Sequence, residues 1–193
     1  TWTLWTLGRL SPFDLRIEEW LGNEGQKLSL NAKIQAIRIA GHRIREHRTD
    51  GSLPAYVIEA LSDSEPRARF AAIQSIGQAR QSDLAPELAA RASSEEDRIS
   101  FYATWQALKS VATESELRKF LKDRRAGTRR AAMLALLESG ALDEKEVRGM
   151  MEDPDQTNSD LAAFWIAKQS GNELIDVYPK PGVFVGSVDI HMT

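Results

Sequence analysis

The chain has 193 residues, of which 42% are hydrophobic and 27% are charged, and its formal net charge is −3. This composition predicts a soluble globular protein and excludes disorder of the whole chain. The chain contains no cysteine, which excludes disulfides, thiolate zinc sites, thiol catalysis and covalent haem attachment. No apolar run approaches the roughly 20 residues that a membrane helix needs, so no membrane span is expected.

Six segments along the chain share the pattern of a small-residue amphipathic helix. Their equivalent apolar positions, called anchors below, are Leu7, Ala40, Ile76, Leu108, Leu136 and Ile166. Successive anchors are 33, 36, 32, 28 and 30 residues apart. A drifting period of this size predicts a degenerate array of helical hairpins.

A second amphipathic helix is predicted between successive anchor helices. The segments "LPAYVIEALSD" (53–63) and "ESELRKFLKD" (114–123) each place their apolar residues on one helical face. Three pairs of residues predict capping boxes at helix starts, because a side-chain acceptor is followed three residues later by Glu: Thr113 with Glu116, Asp143 with Glu146, and Ser93 with Glu96.

Three stretches resemble the HEAT repeats, including the short variety first associated with phycobilisome lyases. They are "LSDSEPRARFAAIQSIG" (61–77), "LKDRRAGTRRAAMLALLESG" (121–140) and, more weakly, "MEDPDQTNSDLAAFWIA" (151–167). The resemblance implies an all-α, armadillo-type fold, in which antiparallel helical hairpins stack into a right-handed α–α superhelix.

In that family, an Asp in the turn and an Arg early in the second helix form a hydrogen-bonded ladder. Asp63 and Arg69 match this pattern six residues apart, as do Asp123 and Arg129. The ladder is expected to be interrupted in the last repeat, where Ser159 replaces the arginine. It is also expected to be interrupted in the fourth repeat, where Ser94 and Ser100 take both positions.

The repeats are expected to cover residues 1–172 as a solenoid of about five and a half hairpins. Residues 173–193 change character, since prolines and glycines precede the alternating "VFVGSVDI", which predicts a linker and a short β-like tail that begins a β domain. This tail resembles the start of immunoglobulin-like or chitobiase-C-terminal-like domains. The combination is similar to large exported multidomain proteins of planctomycete-type bacteria, which implies a periplasmic or secreted location, although the composition leaves the cytoplasm open.

Charge is banded along the sequence. Residues 98–130 hold nine Lys or Arg and three Asp or Glu, whereas residues 51–97 and 131–160 have net charges of −4 and −6. One hypothesis is a surface that binds an anionic protein partner, formed by Arg118, Lys122, Arg124, Arg125 and Arg130. The alternative is that these cations pair with acidic turns of adjacent repeats, at 95–97 on one side and at Asp153 or Asp155 on the other.

Motifs for catalysis or metal binding are absent from the sequence. His42 and His47 are five residues apart, which is not the one-turn spacing that lets two histidines bind one metal, and no G-x-S-x-G or H-E-x-x-H occurs. Isolated glycines such as Gly41 and Gly77 predict close helix packing, and the tryptophans predict core packing. We therefore expect no catalytic residue, cofactor or metal, and hence no enzymatic activity.

These observations favour a non-catalytic protein-interaction or structural scaffold, whose partner is another protein or a neighbouring domain of the same polypeptide. The alternative is a spacer in a larger secreted or periplasmic enzyme or haem/redox protein, with the active site outside this chain. A HEAT-like lyase or DNA glycosylase is the least favoured class. Nucleic acid is not an expected partner, because a chain with this net charge lacks a broad basic footprint.

Overall fold

The computed structural model describes Thr6 and residues 29–47 and 52–169, and within them all regular secondary structure is helical. These helices pack against one another, which confirms the predicted all-α class. The β-like tail predicted at 173–193, and the first anchor, Leu7, lie outside the described residues. In the described part of the chain, no helix is both long enough and apolar enough to cross a bilayer.

The chain divides into two compact units, Thr1–Ser139 and Gly140–Thr193. The helices of the first unit are α1 (Leu30–His47), α2 (Ala55–Glu59), α3 (Pro66–Ala79), α4 (Ala85–Ala92), α5 (Arg98–Val111), α6 (Glu114–Phe120) and α7 (Ala126–Glu138). Short 3₁₀ turns continue α2 at Ala60–Ser62 and precede α4 at Ser82–Leu84. The second unit contains α8 (Glu144–Met150) and α9 (Gln156–Gln169).

The described part of the first unit is organised around four long helices, α1, α3, α5 and α7. Each packs against the next in this series, and we call the set the long-helix layer. The shorter α2, α4 and α6 lie between them in sequence and pack against long helices, as α4 does against both α5 and α7. The predicted anchors form the core, since Ala40, Ile76, Leu108 and Leu136 are all buried.

Close contacts between helix backbones explain why this layer needs small residues. A Cβ atom on Gly41 of α1 would lie 2.6 Å from the Ser75 Cβ of α3, which is far inside normal contact distance. The Ser75 hydroxyl donates a hydrogen bond to the Ile37 carbonyl at 2.9 Å, so the same approach is also satisfied by a polar contact. The predicted packing role of Gly41 is therefore confirmed.

Two of the three predicted capping boxes are present. The Thr113 and Asp143 side chains each accept the N–H of the Glu three residues later, and that Glu accepts the capping residue's own N–H. The prediction for Ser93 is wrong, because Ser93 follows the end of α4 and its hydroxyl donates to the Ala90 carbonyl at 2.7 Å. Helix α5 instead begins after Asp97, whose carboxylate accepts the Ser100 N–H at 2.8 Å.

In the second unit, α8 and α9 pack against each other as a helical hairpin. The Asp153 carboxylate accepts the Asp155 N–H at 2.8 Å in the turn that joins them. At the position where the arginine of the pattern is replaced, the Ser159 hydroxyl donates to the Met151 carbonyl at 2.7 Å. The Ser159 hydroxyl thus connects α9 to the end of α8 at a position where an arginine would be expected.

Candidate functional site

An acidic side chain occurs in the turn before α3, α5, α7 and α9, always thirteen residues before the anchor of the following helix. The four acids are Asp63, Glu95, Asp123 and Asp153. Each accepts the backbone N–H two residues later, at distances of 2.8 to 3.0 Å. This common hydrogen bond closes the turn and sets the start of the next long helix, because the carboxylate occupies N–H groups that have no helical partner.

Glu95 is the most enclosed of these acids, and it is bound by two arginines. Arg69 of α3 donates from Nη2 to Oε1 at 2.7 Å and from Nε to Oε2 at 2.9 Å. Arg91 of α4 donates to Oε2 at 3.1 Å, and the Glu95 side chain is 0% exposed. Burial raises the pKa of Glu95, but the hydrogen bonds from Arg69, the Asp97 N–H and Arg91 outweigh it, so the pKa lies below its usual value.

Arg69 also binds the turn that precedes its own helix. Its Nη1 donates to the carbonyls of Asp63 and Ser64 at 2.9 and 3.0 Å. Arg129 repeats this contact, since its Nη1 donates to the carbonyls of Asp123 and Arg124 at 2.9 and 3.0 Å. The two predicted Asp–Arg pairs are therefore brought together, although the guanidinium contacts the aspartate's main chain.

The residues predicted for the turn before α5 and for α5 itself are wrong by one position. The arginine position of α5 is Phe101 and not Ser100, so an arginine is missing there as predicted. Glu95, and not Ser94, occupies the turn position, and Arg69 of α3 reaches it. One helix earlier, Lys33 of α1 makes the equivalent ion pair with Asp63. Burial raises the pKa of Asp63, but the hydrogen bonds from Lys33 and the Glu65 N–H outweigh it, and the net pKa is lowered.

The next step differs, because the corresponding position of α5 is Phe101 and has no charge to offer Asp123. Asp123 is bound instead within its own turn. The Arg125 Nε and Nη2 atoms donate to its two carboxylate oxygens, both at 2.9 Å. These side-chain hydrogen bonds are the largest reason why the pKa of Asp123 falls from 3.8 to about 2.

The five cations predicted as a partner surface lie on α6, on the following turn and on α7. Arg118 donates to Glu114 one turn earlier at 2.8 Å, Arg125 is held by Asp123, and Arg130 is half-buried on α7. Lys122 and Arg124 are exposed. Two of the five therefore have named acidic partners within their own helix or turn, and Lys122 and Arg124 are the most accessible for a partner.

Between α1 and α3 lies an open cleft of about 180 Å³. It is lined by Arg38, His42 and Arg45 of α1 and by Gln74, Ser75 and Gln78 of α3. His42 contacts Arg45 through Nδ1 at 3.3 Å and Glu46 through Nε2 at 3.2 Å, while Arg38 and Arg45 are exposed. The Gly41–Ser75 approach brings the two helices together beside the cleft, and all the side chains that line the cleft are polar.

An exposed apolar pair lies on α5 of the same layer. Ile99 is 65% exposed and Tyr102, one turn later, is 54% exposed. The Tyr102 ring meets the buried Trp105 edge to face, with 5.0 Å between ring centroids, and its hydroxyl lies 3.2 Å from the Gln106 amide nitrogen. Packing from below and a hydrogen bond at the edge hold the tyrosine in place while its surface stays accessible.

The described residues contain no group of three or more His, Cys, Asp or Glu side chains placed to hold a metal ion. His42 is engaged with Arg45 and Glu46, and the side chain of His47 lies outside the description. Trp105 is buried as predicted, and Trp165 is half-buried on α9.

No protein-family model matches this chain, and no curated protein or solved structure matches it either.

Two features of the site were missed by reasoning from the sequence. Glu95 could have been found from its position in the sequence. It lies thirteen residues before Leu108, as Asp63 lies thirteen residues before Ile76. The cleft could not, because it depends on which residues of α1 face which residues of α3. That facing follows from the Gly41–Ser75 contact, which the spacing of anchors does not specify.

Proposed function

We propose that the chain is a non-catalytic scaffold of HEAT-like helical hairpins that binds a protein partner or a neighbouring domain of the same polypeptide. The observation that carries the proposal is the repeated cation-to-turn contact, in which Lys33 binds Asp63 and Arg69 binds Glu95. Contacts of this kind set the register between neighbouring repeats, and stacked repeats present extended surfaces for binding.

The chemistry of the turns supports a structural role for their charged residues. Glu95 is enclosed and held by arginines, and its lowered pKa keeps it ionised near neutral pH. A general acid needs a raised pKa and access to substrate, and Glu95 has neither. The carboxylate instead serves as a buried connection between α3 and the start of α5.

The predicted cationic ridge, Lys122 and Arg124 with Arg118, Arg125 and Arg130, is one proposed contact surface. Its two exposed members follow α6 and stand beside a turn that Asp123 and Arg125 hold in shape. A rigid turn with accessible cations is suited to an acidic partner, since little ordering entropy is lost on binding. Single exposed ion pairs stabilise weakly, so binding would depend on several contacts together.

The test is affinity capture with the purified chain, followed by titration calorimetry with each purified candidate partner. A Lys122→Glu/Arg124→Glu variant should weaken binding to a ridge partner at least about tenfold, because two attractive contacts become repulsive. A Lys145→Glu/Lys168→Glu variant, which makes the same change in net charge on the second unit, is the control. Equal weakening by both variants would contradict the ridge, and failure of any captured protein to bind in purified form would contradict the scaffold.

A further inference from the structure

Charge is segregated between the two sets of segments in the first unit. The long-helix layer carries ten Lys or Arg and two Glu, namely Glu46 and Glu138. The described segments between those helices, 52–65, 80–97 and 112–125, carry seven Lys or Arg and eleven Asp or Glu. Net charges summed over continuous stretches of sequence hide this difference, because each stretch combines a basic long helix with the acidic turn beside it.

The cleft between α1 and α3 lies where the excess of positive charge in this layer is largest. Helix α1 carries four cations and one acid, and α3 carries two cations and no acid. Lys33 and Arg69 are used in ion pairs with turn acids, whereas Arg38 and Arg45 stand exposed on the cleft rim. The one acid, Glu46, lies against His42 at 3.2 Å.

We propose that this cleft is a docking site for an acidic polypeptide segment, with Arg38 and Arg45 binding carboxylates and Gln74 and Gln78 binding its main chain. The proposal rests on the scaffold function and adds a site and a ligand class to it. Arg38 and Arg45 are seven residues apart and therefore two turns apart on one helical face, about 10 Å along the axis. Gln74 and Gln78 are one turn apart on the facing helix.

The size of the cleft argues for a segment of chain. Pockets for drug-sized ligands are typically about 300 to 1,000 Å³ and enclose most of the ligand. A cleft of about 180 Å³ that is open along one side accommodates one or two side chains of a longer chain that continues across the surface. A cleft lined by polar and positively charged side chains fits an extended acidic stretch better than an apolar helix.

The amides of Gln74 and Gln78 suit the main chain of a polypeptide better than a phosphate backbone. A Gln side chain offers both a donor and an acceptor, and a peptide unit supplies the matching acceptor and donor. An ionised phosphate has no N–H or O–H to donate, so a phosphate backbone would leave the oxygens of Gln74 and Gln78 to water. The exposed Ile99 and Tyr102 on the same layer also suit apolar side chains of a peptide and contribute nothing to a phosphate backbone.

The experiment measures binding of a fluorescein-labelled oligoglutamate peptide to the full chain by fluorescence anisotropy at low ionic strength. We expect saturable binding that an Arg38→Gln/Arg45→Gln variant weakens at least about tenfold, since two charge-assisted contacts are lost. A Gln74→Ala/Gln78→Ala variant should weaken it about threefold or more without any change in charge. A Lys145→Gln/Lys168→Gln variant, with the same loss of charge at exposed positions of the second unit, should stay within about twofold of the parent chain.

Several results would overturn the proposal. They are no binding of oligoglutamate, equal weakening by the Arg38/Arg45 and Lys145/Lys168 variants, no effect of the glutamine variant, or tighter binding of single-stranded DNA of matched charge. A lysate partner that binds the chain but is insensitive to Arg38→Gln/Arg45→Gln would leave the scaffold function standing while removing this site from it. Circular dichroism on each variant establishes that the exposed substitutions leave the helices intact.

Discussion

Arg69 on α3 and Glu95 in the turn before α5 form a two-pronged ion pair, with donor–acceptor distances of 2.7 and 2.9 Å, around a carboxylate that is 0% exposed. A guanidinium and a carboxylate match each other in this geometry, which makes the contact strong and directional. Because the same guanidinium binds the carbonyls of the turn before α3, one side chain connects two successive turns.

Replacing Arg69 with Met should lower the free energy of unfolding by about 2 to 3 kcal/mol, because Glu95 would stay buried with Arg91 as its one remaining arginine. Urea denaturation followed by circular dichroism measures the change. The matched control is Arg67→Met, two residues earlier, where an exposed guanidinium reaches Asn31 at 3.3 Å and the expected loss is below about 0.5 kcal/mol. Similar losses in the two variants would show that the Arg69–Glu95 contact does not stabilise the fold.

Acid should destabilise the chain in a window set partly by Asp123. The pKa of this carboxyl is about 2 in the folded chain and 3.8 ordinarily, so the folded state favours the ionised form. Its stabilising contribution is therefore complete above about pH 4 and is lost as the pH falls through about 2. The lowered pKa values of Asp63 and Glu95 act in the same direction.

An Asp123→Asn variant should lose about 1 kcal/mol at neutral pH, an amount reduced by solvent because Arg125 is 40% exposed. The variant should also show a shallower fall in unfolding free energy between pH 4 and pH 2 than the parent chain. Urea titrations at several pH values measure both effects. A parallel pH dependence in the two proteins would rule out Asp123 as a contributor.

Gly41→Ala should destabilise the first unit by about 2 kcal/mol, because the new Cβ would meet Ser75 of α3 at 2.6 Å. Gly77→Ala is the graded comparison, since its nearest neighbour, the Ala107 Cα, would lie 3.3 Å away, and there we expect a change near zero. Alanine also favours a helix over glycine by up to about 1 kcal/mol, which partly offsets any contact. Thermal melts of the two variants measure the difference, and a Gly41→Ala chain as stable as the Gly77→Ala chain would contradict the close approach.

Thr113→Ala should cost about 1 kcal/mol by removing the side-chain half of the capping box that begins α6. Thr113→Ser retains the hydroxyl that accepts the Glu116 N–H and should remain close to the parent chain. Amide hydrogen exchange measures the effect locally, with faster exchange expected at Glu116 and in the first turn of α6. Faster exchange in both variants would point to packing of the threonine methyl group as the cause.

The sequence predicted where the helices lie along the chain. It did not predict which residues of neighbouring helices contact each other. The anchors Ile76, Leu108 and Leu136 could be placed because burial repeats with the hairpin, and the Thr113 cap because it is local. Ser93 was misread as a cap because it also precedes a Glu by three residues, although α5 begins five residues later, at Arg98, and is capped by Asp97. The pairing of Arg69 with Glu95, and the placement of Arg38 and Arg45 in one cleft with Gln74 and Gln78, depend on contacts between helices that no local pattern predicts.

Because position 101 is Phe and not Arg, we expect unfolding of the first unit to be less cooperative after α5 than before it. The long helices α1, α3, α5 and α7 pack in series. In such an arrangement, whether two neighbouring helices unfold together depends on the strength of the interface between them. The Lys33–Asp63 contact joins α1 to the turn before α3, and the Arg69–Glu95 contact joins α3 to the turn before α5. Phe101 of α5 makes no such ion pair, and the turn at Asp123 is closed from within by Arg125. The segment from α1 to α5 should therefore open as one block, and α6 with α7 should exchange and refold as a separate, less protected one.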